Sequence, residues 1–567
     1  MQSKPLPTSC DLVVVGSGAA GFATAISAAK HGLHPIIIEK AQWFGGSTAL
    51  SGGAIWCPNN HLMTAAGMQD DPAAARRYLQ TETGERFNAE LVDSFLEHAP
   101  TAIRFFDENT ALKLSYRPFS PDYHPEAEGA ALGGRVMDPV EYDGKRLGKE
   151  LARLRPPIRE FTILGGLQLG RMGLFHFPRM TRQFASFVWA AKAVAAYYKD
   201  RLTHGRDTKI KLGAALVAPL AETAFELGIP VFTQCELISI ERDEIGHVVA
   251  AVVQTPEGEQ RISTTAGVVL SAGGYPQDAE RRAATVPHVQ AGLPHYSMAP
   301  ESSTGGGIRI AEQAGAKFVN SNSDAASWAP VSLIPQPDGS TRPFPHLFMD
   351  RAKPGVIAVG HDGQRFTNEA VSYHDFVQNM VVKLREEKRQ SAWLVCDHAA
   401  LRRYGLGAVP CAPGRIGRYI RSGYLKTGAT AVELAKATGI DPVGLAQTIQ
   451  YFNEHAVTGE DPAFGKGSTP YQTALGDPDH SPNQCVKPLE GRLYAVEVFS
   501  GDIGTTMGLD ITAQGEVRDC AGQVIPGLYA VGNDANSLMS GSYPGAGITL
   551  GPALTFGYLV GRRAARV

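Results

Sequence analysis

A run of strand formers, Leu12-Val-Val-Val15, enters Gly16-Ser17-Gly18-Ala19-Ala20-Gly21 and emerges in an alanine-rich helical stretch, Phe22 to Lys30. After His31-Gly32 comes a second apolar run, Pro35-Ile-Ile-Ile-Glu39. This order of periods predicts a β-α-β unit. Between 72 and 113, Leu79, Phe87, Leu91, Phe95, Ala99 and Ile103 recur at near-helical spacing and predict scaffold helices. Ala214 to Glu226 predicts a further helix, and Val231 to Arg242 with Val248 to Thr255 a β-hairpin. Gly267-Val-Val-Leu-Ser-Ala-Gly-Gly274 predicts an apolar strand running into paired glycines. From about 298 to 490 the pattern becomes mixed, with frequent Pro and Gly. Strand signals then return in Gly527-Leu-Tyr-Ala-Val-Gly532, and a helix from Thr549 to Ala565 closes the chain. The expected fold is α/β: a Rossmann-like domain split between 1–297 and 491–567, with an α+β domain inserted at 298–490.

The glycines of the opening turn have separate tasks. Gly16 permits the tight turn, Gly18 lets backbone approach a pyrophosphate, and Gly21 lets helix pack on strand. Phosphate is expected beside Ala19 and Ala20, where a helix start presents unpaired N–H groups. Glu39 and Lys40 end the second strand, where a carboxylate accepts hydrogen bonds from ribose hydroxyls. The loop Phe44 to Gly53 is dense in glycine and hydroxyls, and Gly46, Ser47, Thr48, Ser51, Gly52 and Gly53 are expected to touch the same dinucleotide. Gly274 offers another close backbone approach.

Composition adds bounds. A net charge of −3 gives no global pull toward nucleic acid. Seven scattered cysteines without a Cys-x-x-Cys pair favour a reducing, cytoplasmic compartment and argue against a zinc site or a disulfide framework. Met1 to Cys10 does not read as a signal peptide, and no apolar run reaches the roughly 18 residues of a spanning helix. Residues 145–211 differ from the rest: fifteen Lys and Arg against four acids give a local net of +11. Within them Phe184, Phe187, Val188, Ala191, Val194, Ala195 and Tyr198 share one helical face. A basic amphipathic helix suits peripheral contact with the inner face of a membrane; the alternatives are a core-packed helix or an oligomer contact.

Taken together, these motifs resemble the flavoproteins that contain the 3-ketosteroid dehydrogenases and, more distantly, the soluble fumarate reductases. The resemblance covers nearly the whole chain. It rests on the opening unit, Phe44 to Gly53, Ser271-Ala-Gly-Gly-Tyr-Pro276, Arg365-Phe-Thr-Asn-Glu369, Gly501-Asp-Ile-Gly-Thr505, Gly527 to Asn533, and above all Ser542-Tyr-Pro-Gly-Ala-Gly-Ile-Thr-Leu-Gly-Pro552. It implies FAD, with Asn533 near the ribitol and Gly547, Ile548, Thr549 and Leu550 facing the flavin pyrimidine edge. Gly46 stands where some relatives carry a histidine, which implies non-covalent FAD.

At the substrate the resemblance forks. Fumarate reductases typically carry a His in the stretch that reads Gly504-Thr-Thr-Met-Gly508 here, and an Arg-Gly-x-Gly proton donor where this chain has Arg351-Ala-Lys-Pro-Gly355. The steroid dehydrogenase pattern asks instead for tyrosines, and Tyr123, Tyr373 and Tyr543 stand in matching contexts. It implies that Tyr543 and the Gly547 amide cradle the 3-keto oxygen, that Tyr373 removes a proton from C2, and that C1 gives hydride to the flavin. Tyr123 is expected to lower the pKa of Tyr373 by hydrogen bonding. The implied partners are a hydrophobic 3-ketosteroid and an external electron acceptor. Ala546 departs from relatives with a second proline there. The alternatives are 4,5-dehydrogenation of a 5α-3-ketosteroid, flavin-dependent reduction of an activated C=C bond, and a catalytically silent FAD-binding subunit, which the retained Tyr543 and Gly547 disfavour.

Overall fold

Leu12 to Val15 are all buried, at 0–7% exposure, because their strand is covered on both faces and paired on both edges. Such a position selects a continuous β-branched run rather than an alternating one. The structure is a computed structural model and describes residues 5–180, 183–348 and 350–566. The strands β1 (Ser9–Val15), β2 (Pro35–Glu39), β3 (Val231–Thr233), β4 (Glu236–Arg242), β5 (Val248–Thr255) and β6 (Gly258–Leu270) lie in the spatial order β3-β2-β1-β6-β5-β4. The pairs β3/β2, β2/β1 and β1/β6 are parallel, while β6/β5 and β5/β4 are antiparallel. The stretch Val231 to Arg242 is therefore not one arm of a hairpin. It breaks at Gln234, with φ +61°; β3 joins the parallel edge beside β2, and only β4 turns back against β5.

Helices α1 (Ala19–Lys30), α2 (Pro72–Thr83) and α3 (Ala89–Asn109) follow the expected periods. The basic segment enters and leaves through one short ladder, Tyr142 opposite Ile210 and Asp143 opposite Lys209. It holds α4 (Arg171–Arg179) and α5 (Phe184–His204), with His176 stacked on Trp189 at 4.8 Å. The expected apolar face of α5 does not pack on a core: Phe184, Phe187 and Tyr198 are exposed, while Ser186, Ala190, Tyr197 and Asp200 face inward. Helix α6 (Leu212–Glu226) then returns the chain to the sheet.

The inserted domain carries α7 (Tyr373–Glu387) and a second sheet of β7 (Val356–Val359), β8 (Ala392–Asp397), β9 (Lys426–Gly428) and β10 (Leu493–Val498), ordered β7-β8-β10-β9. Strand β10 lies beyond the boundary expected at 490, yet its six residues pair with β8 from Leu493↔Asp397 to Val498↔Ala392. The chain crosses back afterwards, through β11 (Glu516–Arg518) and β12 (Val524–Ala530), and β12 pairs in parallel with Val268–Leu270 of β6. The last helix, α8 (Leu550–Ala564), packs along α1. No described helix is long and apolar enough to cross a membrane, and the seven cysteines are free.

Two glycines allow the α1–α8 approach. A Cβ at Gly557 would stand 2.8 Å from the Ala23 Cβ, and one at Gly561 would stand 2.5 Å from the Ser27 Cβ. The Ser27 hydroxyl donates to the Tyr558 carbonyl at 2.8 Å. Overpacking such a contact costs about 1–3 kcal/mol. Gly561→Val is thus expected to destabilise the flavin-loaded protein by that amount, read as a lower urea midpoint at unchanged m-value; an unaltered midpoint would remove this contact from the account of how the split domain closes.

Candidate active site

One continuous cavity of about 1370 Å³ runs from the glycine turn to the inserted domain. Gly16, Gly18, Ala19, Ala20, Glu39, Lys40, Gly46, Ser47, Thr48, Ser51, Gly52 and Gly53 line one end, with Asn533, Gly547, Thr549 and Leu550 beside them. Three residues expected to touch the cofactor do not line it. Gly21 lies beneath the turn, where a Cβ would meet the Gly16 carbonyl oxygen at 2.0 Å. Gly274 sits one residue past the wall, which Gly273 forms instead, and Ile548 faces a separate small pocket. Gly16 has φ +106°, and a Cβ there would lie 2.3 Å from the Ser271 carbonyl oxygen, so the turn admits glycine alone.

The donor set fits a dinucleotide. Gly18 caps α1 without a side-chain hydrogen bond, leaving first-turn N–H groups that lack the acceptor a pyrophosphate oxygen provides. The Thr48 hydroxyl accepts from the Ala19 N–H at 3.1 Å, tying the hydroxyl-rich loop to this helix start. Glu39 is 6% exposed; its carboxylate accepts from the Ser17 N–H (3.1 Å) and hydroxyl (2.5 Å) and from the Ala41 N–H (2.8 Å). Asp534, beside Asn533, accepts from the Ala272 N–H and, at 3.0 Å, from the Gly274 N–H, and burial pushes its pKa up to about 6. Asp534 belongs to no site motif in the sequence, and its adjacency to Asn533 is the one signal that points to it.

At the other end Tyr123, Tyr373 and Tyr543 come together on the cavity wall, all nearly buried. The Tyr123 hydroxyl donates to the Tyr373 oxygen at 3.4 Å; ring centroids are 5.1 Å apart for Tyr373–Tyr543 and 5.7 Å for Tyr123–Tyr543. A fourth phenol, Tyr471, lies 4.6 Å from the Tyr123 ring and lines the same cavity. Nothing in the pattern around Thr469-Pro470 marked it. Tyr373 opens α7, where the Ser372 hydroxyl accepts from the Asp375 N–H at 3.1 Å as N-cap. Tyr543 is held through its neighbour: the Pro544 carbonyl accepts from the Tyr123 N–H (2.9 Å) and the Tyr78 hydroxyl (2.6 Å). Gly547 has φ +88°, and a Cβ there would stand 2.5 Å from the Ala54 carbonyl oxygen.

The expected lowering of the Tyr373 pKa does not hold. Burial first, then the neighbouring phenols Tyr123 and Tyr543, push it well above the ordinary phenol value. Burial likewise raises Tyr543 and Tyr123. The resting cluster is thus a set of neutral phenols.

Beside it stands His124, whose ring nitrogens meet Glu82 of α2 at 2.6 Å and Asp375 of α7 at 2.8 Å. Burial works against its charge, but the hydrogen bonds and charges of Asp375 and Glu82 win and raise its pKa to about 10. An imidazolium therefore ties the first domain to the inserted one: His124 follows Tyr123 directly, and its partner Asp375 stands two residues after Tyr373. Arg351 is no proton donor to the cavity: its buried guanidinium donates to the carbonyls of His346 (2.8 Å), Leu347 (2.6 Å), Glu369 (2.9 Å) and Val371 (3.3 Å). The motif Arg365 to Glu369 is structural too, with Arg365 bridging Glu369 (2.8 Å) and Asp461 (2.7 Å) and Lys466 reaching Glu369 at 3.2 Å.

A family model described as FAD binding domain matches residues 11–550. The chain belongs to the FAD-binding family that contains the 3-oxosteroid 1-dehydrogenases. FAD is its cofactor and it is an oxidoreductase. The flavoprotein is 38% identical to a 4-oxocyclohex-2-ene-1-carboxylate 5-dehydrogenase of Sinomonas cyclohexanicum over 98% of this chain and 94% of that protein. It is 32% identical to a 3-oxosteroid 1-dehydrogenase of Mycolicibacterium smegmatis over 97% and 96%. Among solved structures, 3-ketosteroid delta1-dehydrogenase from Sterolibacterium denitrificans, in complex with 1,4-androstadiene-3,17-dione, superposes with a TM-score of 0.90 at 31% identity, covering 99% of this chain and all of that one.

The His124 bridge carries a signed prediction. Its pKa is raised, so its stabilisation is complete below the unfolded value near 6.5 and is lost as pH climbs through about 10. His124→Gln of the flavoprotein is expected to lose about 1.5–3 kcal/mol at pH 6 and to converge with the wild type above pH 10. Parallel stability curves across that range would refute the charged bridge.

Proposed function

We propose that the flavoprotein introduces a C1–C2 double bond into ring A of a 3-ketosteroid. The observation that carries this reading is the convergence of Tyr543, Tyr373, Tyr123 and Gly547 on the cavity whose other end is the FAD cradle. Bound FAD supplies the hydride acceptor for C1. The Tyr543 hydroxyl and the Gly547 N–H donate to the 3-keto oxygen, and these two neutral donors stabilise the charge that gathers there as C2 loses its proton. Tyr373 takes that proton, and Tyr123 hydrogen-bonds the oxygen that accepts it. An external electron acceptor reoxidises the flavin.

The wall favours a large apolar ketone over a small oxo acid such as that named for the Sinomonas relative. Phe119, Leu164, Leu169, Phe344, Leu347 and Phe348 line it. Its less exposed cations are engaged: Arg117 grips Asp138 through two bonds, at 2.7 and 2.5 Å, and Arg342 pairs with Glu160, while Arg159 and Arg418 line it as exposed side chains in no ion pair among the described residues.

Anaerobic mixing with androst-4-ene-3,17-dione is expected to bleach the flavin and yield the 1,4-diene. Bleaching by 4-oxocyclohex-2-ene-1-carboxylate but by no 3-ketosteroid would overturn the reading, and turnover of only a 5α-3-ketosteroid to its 4-ene would move the double bond to C4–C5. Tyr543→Phe should lower kcat about 10²–10³-fold. With the Tyr373 pKa raised, its base form grows as pH rises, so kcat/KM should climb toward alkaline pH, and Tyr373→Phe should abolish that climb; an unchanged profile would remove Tyr373 as the base.

A further inference from the structure

The cations that line the cavity divide into paired and free. Lys40 pairs with Glu236 at 2.8 Å, Arg117 with Asp138 and Arg342 with Glu160. Arg159 and Arg418 line the same cavity, exposed and in no ion pair among the described residues. The acids of this part of the wall are engaged already: Glu160 with Arg342, and Asp350 with the His346 ring (2.6 Å) and the Gly407 N–H (2.9 Å). From 398 to 432 the chain carries six Lys and Arg and no Asp or Glu, so nothing on its own segment cancels the charge of Arg418. Arg418 is also braced. It belongs to the short helix Gly417–Arg421, and its guanidinium carbon lies 4.5 Å from the centre of the buried Tyr419 ring, whose hydroxyl accepts from it. A planar guanidinium held on a ring loses less rotamer freedom when it grips a carboxylate.

Both arginines stand beside one hairpin. Val331–Pro335 pairs with Thr341–Pro345, and the register puts Ser332, Ile334, Arg342 and Phe344 on one face, of which the last three line the cavity. At one end of this face the Ser332 hydroxyl meets that of Tyr424 at 2.6 Å, and the Tyr424 ring lies 5.9 Å from Tyr419, next to Arg418. At the other end Arg342 holds Glu160, the neighbour of Arg159. The same wall leads to the phenols. The Tyr424 hydroxyl accepts from the Ala408 N–H at 3.0 Å, and Ala408 belongs to the cavity-lining stretch 404–411. At the start of that stretch the Tyr404 hydroxyl donates to Asp477 at 2.6 Å, just past the helix Pro470–Leu475 that carries Tyr471 to within 4.6 Å of the Tyr123 ring. The free guanidinium groups and the reacting phenols thus belong to two ends of one connected wall.

We propose that Arg159 and Arg418 receive a carboxylate on the end of the substrate remote from its ketone, so that the flavoprotein prefers a 3-ketosteroid with an acidic side chain to a neutral one. The inference rests on the steroid reading above and narrows it. Ring A needs only the two neutral donors at its oxygen, and the body of the steroid meets phenylalanine and leucine; the two free guanidinium groups are what that arrangement leaves unused. A carboxylate beside them finds the forked donors that match it, and at an exposed site it keeps part of its water, so no charge is buried unpaired. The same exposure screens the attraction and keeps the gain moderate.

The test gives the full flavin-loaded protein, with an external electron acceptor, two acids and their methyl esters: 3-oxoandrost-4-ene-17β-carboxylic acid and 3-oxochol-4-en-24-oic acid. At least one acid is expected to show a KM about three- to tenfold below that of its ester, a gap that narrows as salt rises, with kcat little changed because the tail contact is the same in ground and transition states. The gap should vanish in the double variant Arg159→Gln, Arg418→Gln and reverse in Arg418→Glu. Arg415→Gln, exposed nearby but outside the cavity lining, should keep it. The flavin absorbance of each variant reports that it has folded. Esters that match or outdo both acids, a gap that survives the double variant, or one lost equally in Arg415→Gln would overturn the inference, while turnover of the esters would leave the ring A reading standing. Failure of every acid and ester to reduce the flavin would sink the ring A reading, and this inference with it.

Discussion

The contact between Gly547 and the strand at Ile55–Trp56 holds the site together. The Trp56 N–H donates to the Gly547 carbonyl at 3.1 Å, and the backbones approach so closely that a Cβ at 547 would strike the Ala54 carbonyl. The contact joins the end of the hydroxyl-rich loop after β2 to the start of α8, segments almost 500 residues apart in the chain. On one side of it the loop 46–53 faces the cofactor; on the other, Tyr543 and Gly547 face the substrate end. Neither half of the cavity has its shape unless the two chain ends meet. The parallel pairing of β12 with β6 and the glycine-mediated packing of α8 on α1 bring them to that meeting point.

What could be read from the sequence is what local chemistry determines. The opening β-α-β unit was legible because its period and its glycines are requirements of the backbone within thirty residues. The split domain was legible because strand patterns of one style return after a stretch of another. The three tyrosines came from motif context, and the structure brings all of them to one wall. The breaks have physical reasons. Val231 to Arg242 carries one apolar pattern, and only the left-handed turn at Gln234 divides it between two edges of the sheet. Strand β10 sits past the expected boundary because its partner β8 is some hundred residues earlier, a pairing no local period reports. His124 was in view beside Tyr123, but its meaning lies in Glu82 and Asp375, 42 and 251 residues away.

The electrostatics near the tyrosines follow a consistent division. Full charges are kept where they brace structure: Arg351 on backbone carbonyls, Arg365 and Lys466 on Glu369 and Asp461, His124 between two helices. The groups that face the cavity at its reacting end are phenols and a backbone amide. Burial strengthens a neutral hydrogen-bond donor toward a developing oxyanion, because no water competes for it. The same burial raises the Tyr373 pKa, so in the proposed reaction it would serve as a reluctant base. In the proposed reaction such a site trades readiness at neutral pH for stronger stabilisation of the enolate once the proton has moved.

That division also bears on which ketone fits. A dicarboxylate or a small oxo acid needs a free cation in a dry site, since an unpaired buried carboxylate is expensive. Here Arg351 gives four of its five N–H groups to carbonyls, Arg117 is closed on Asp138, and Arg342 on Glu160. Freeing any of them for a substrate carboxylate would strand a carboxylate or several carbonyls in its place. An apolar ketone asks for no such exchange: it meets phenylalanine and leucine along the wall and needs only the two neutral donors at its oxygen. The cavity that supports this reading is lined at one point by half-exposed Leu164, whose carbonyl accepts from the Tyr197 hydroxyl on the inward side of α5.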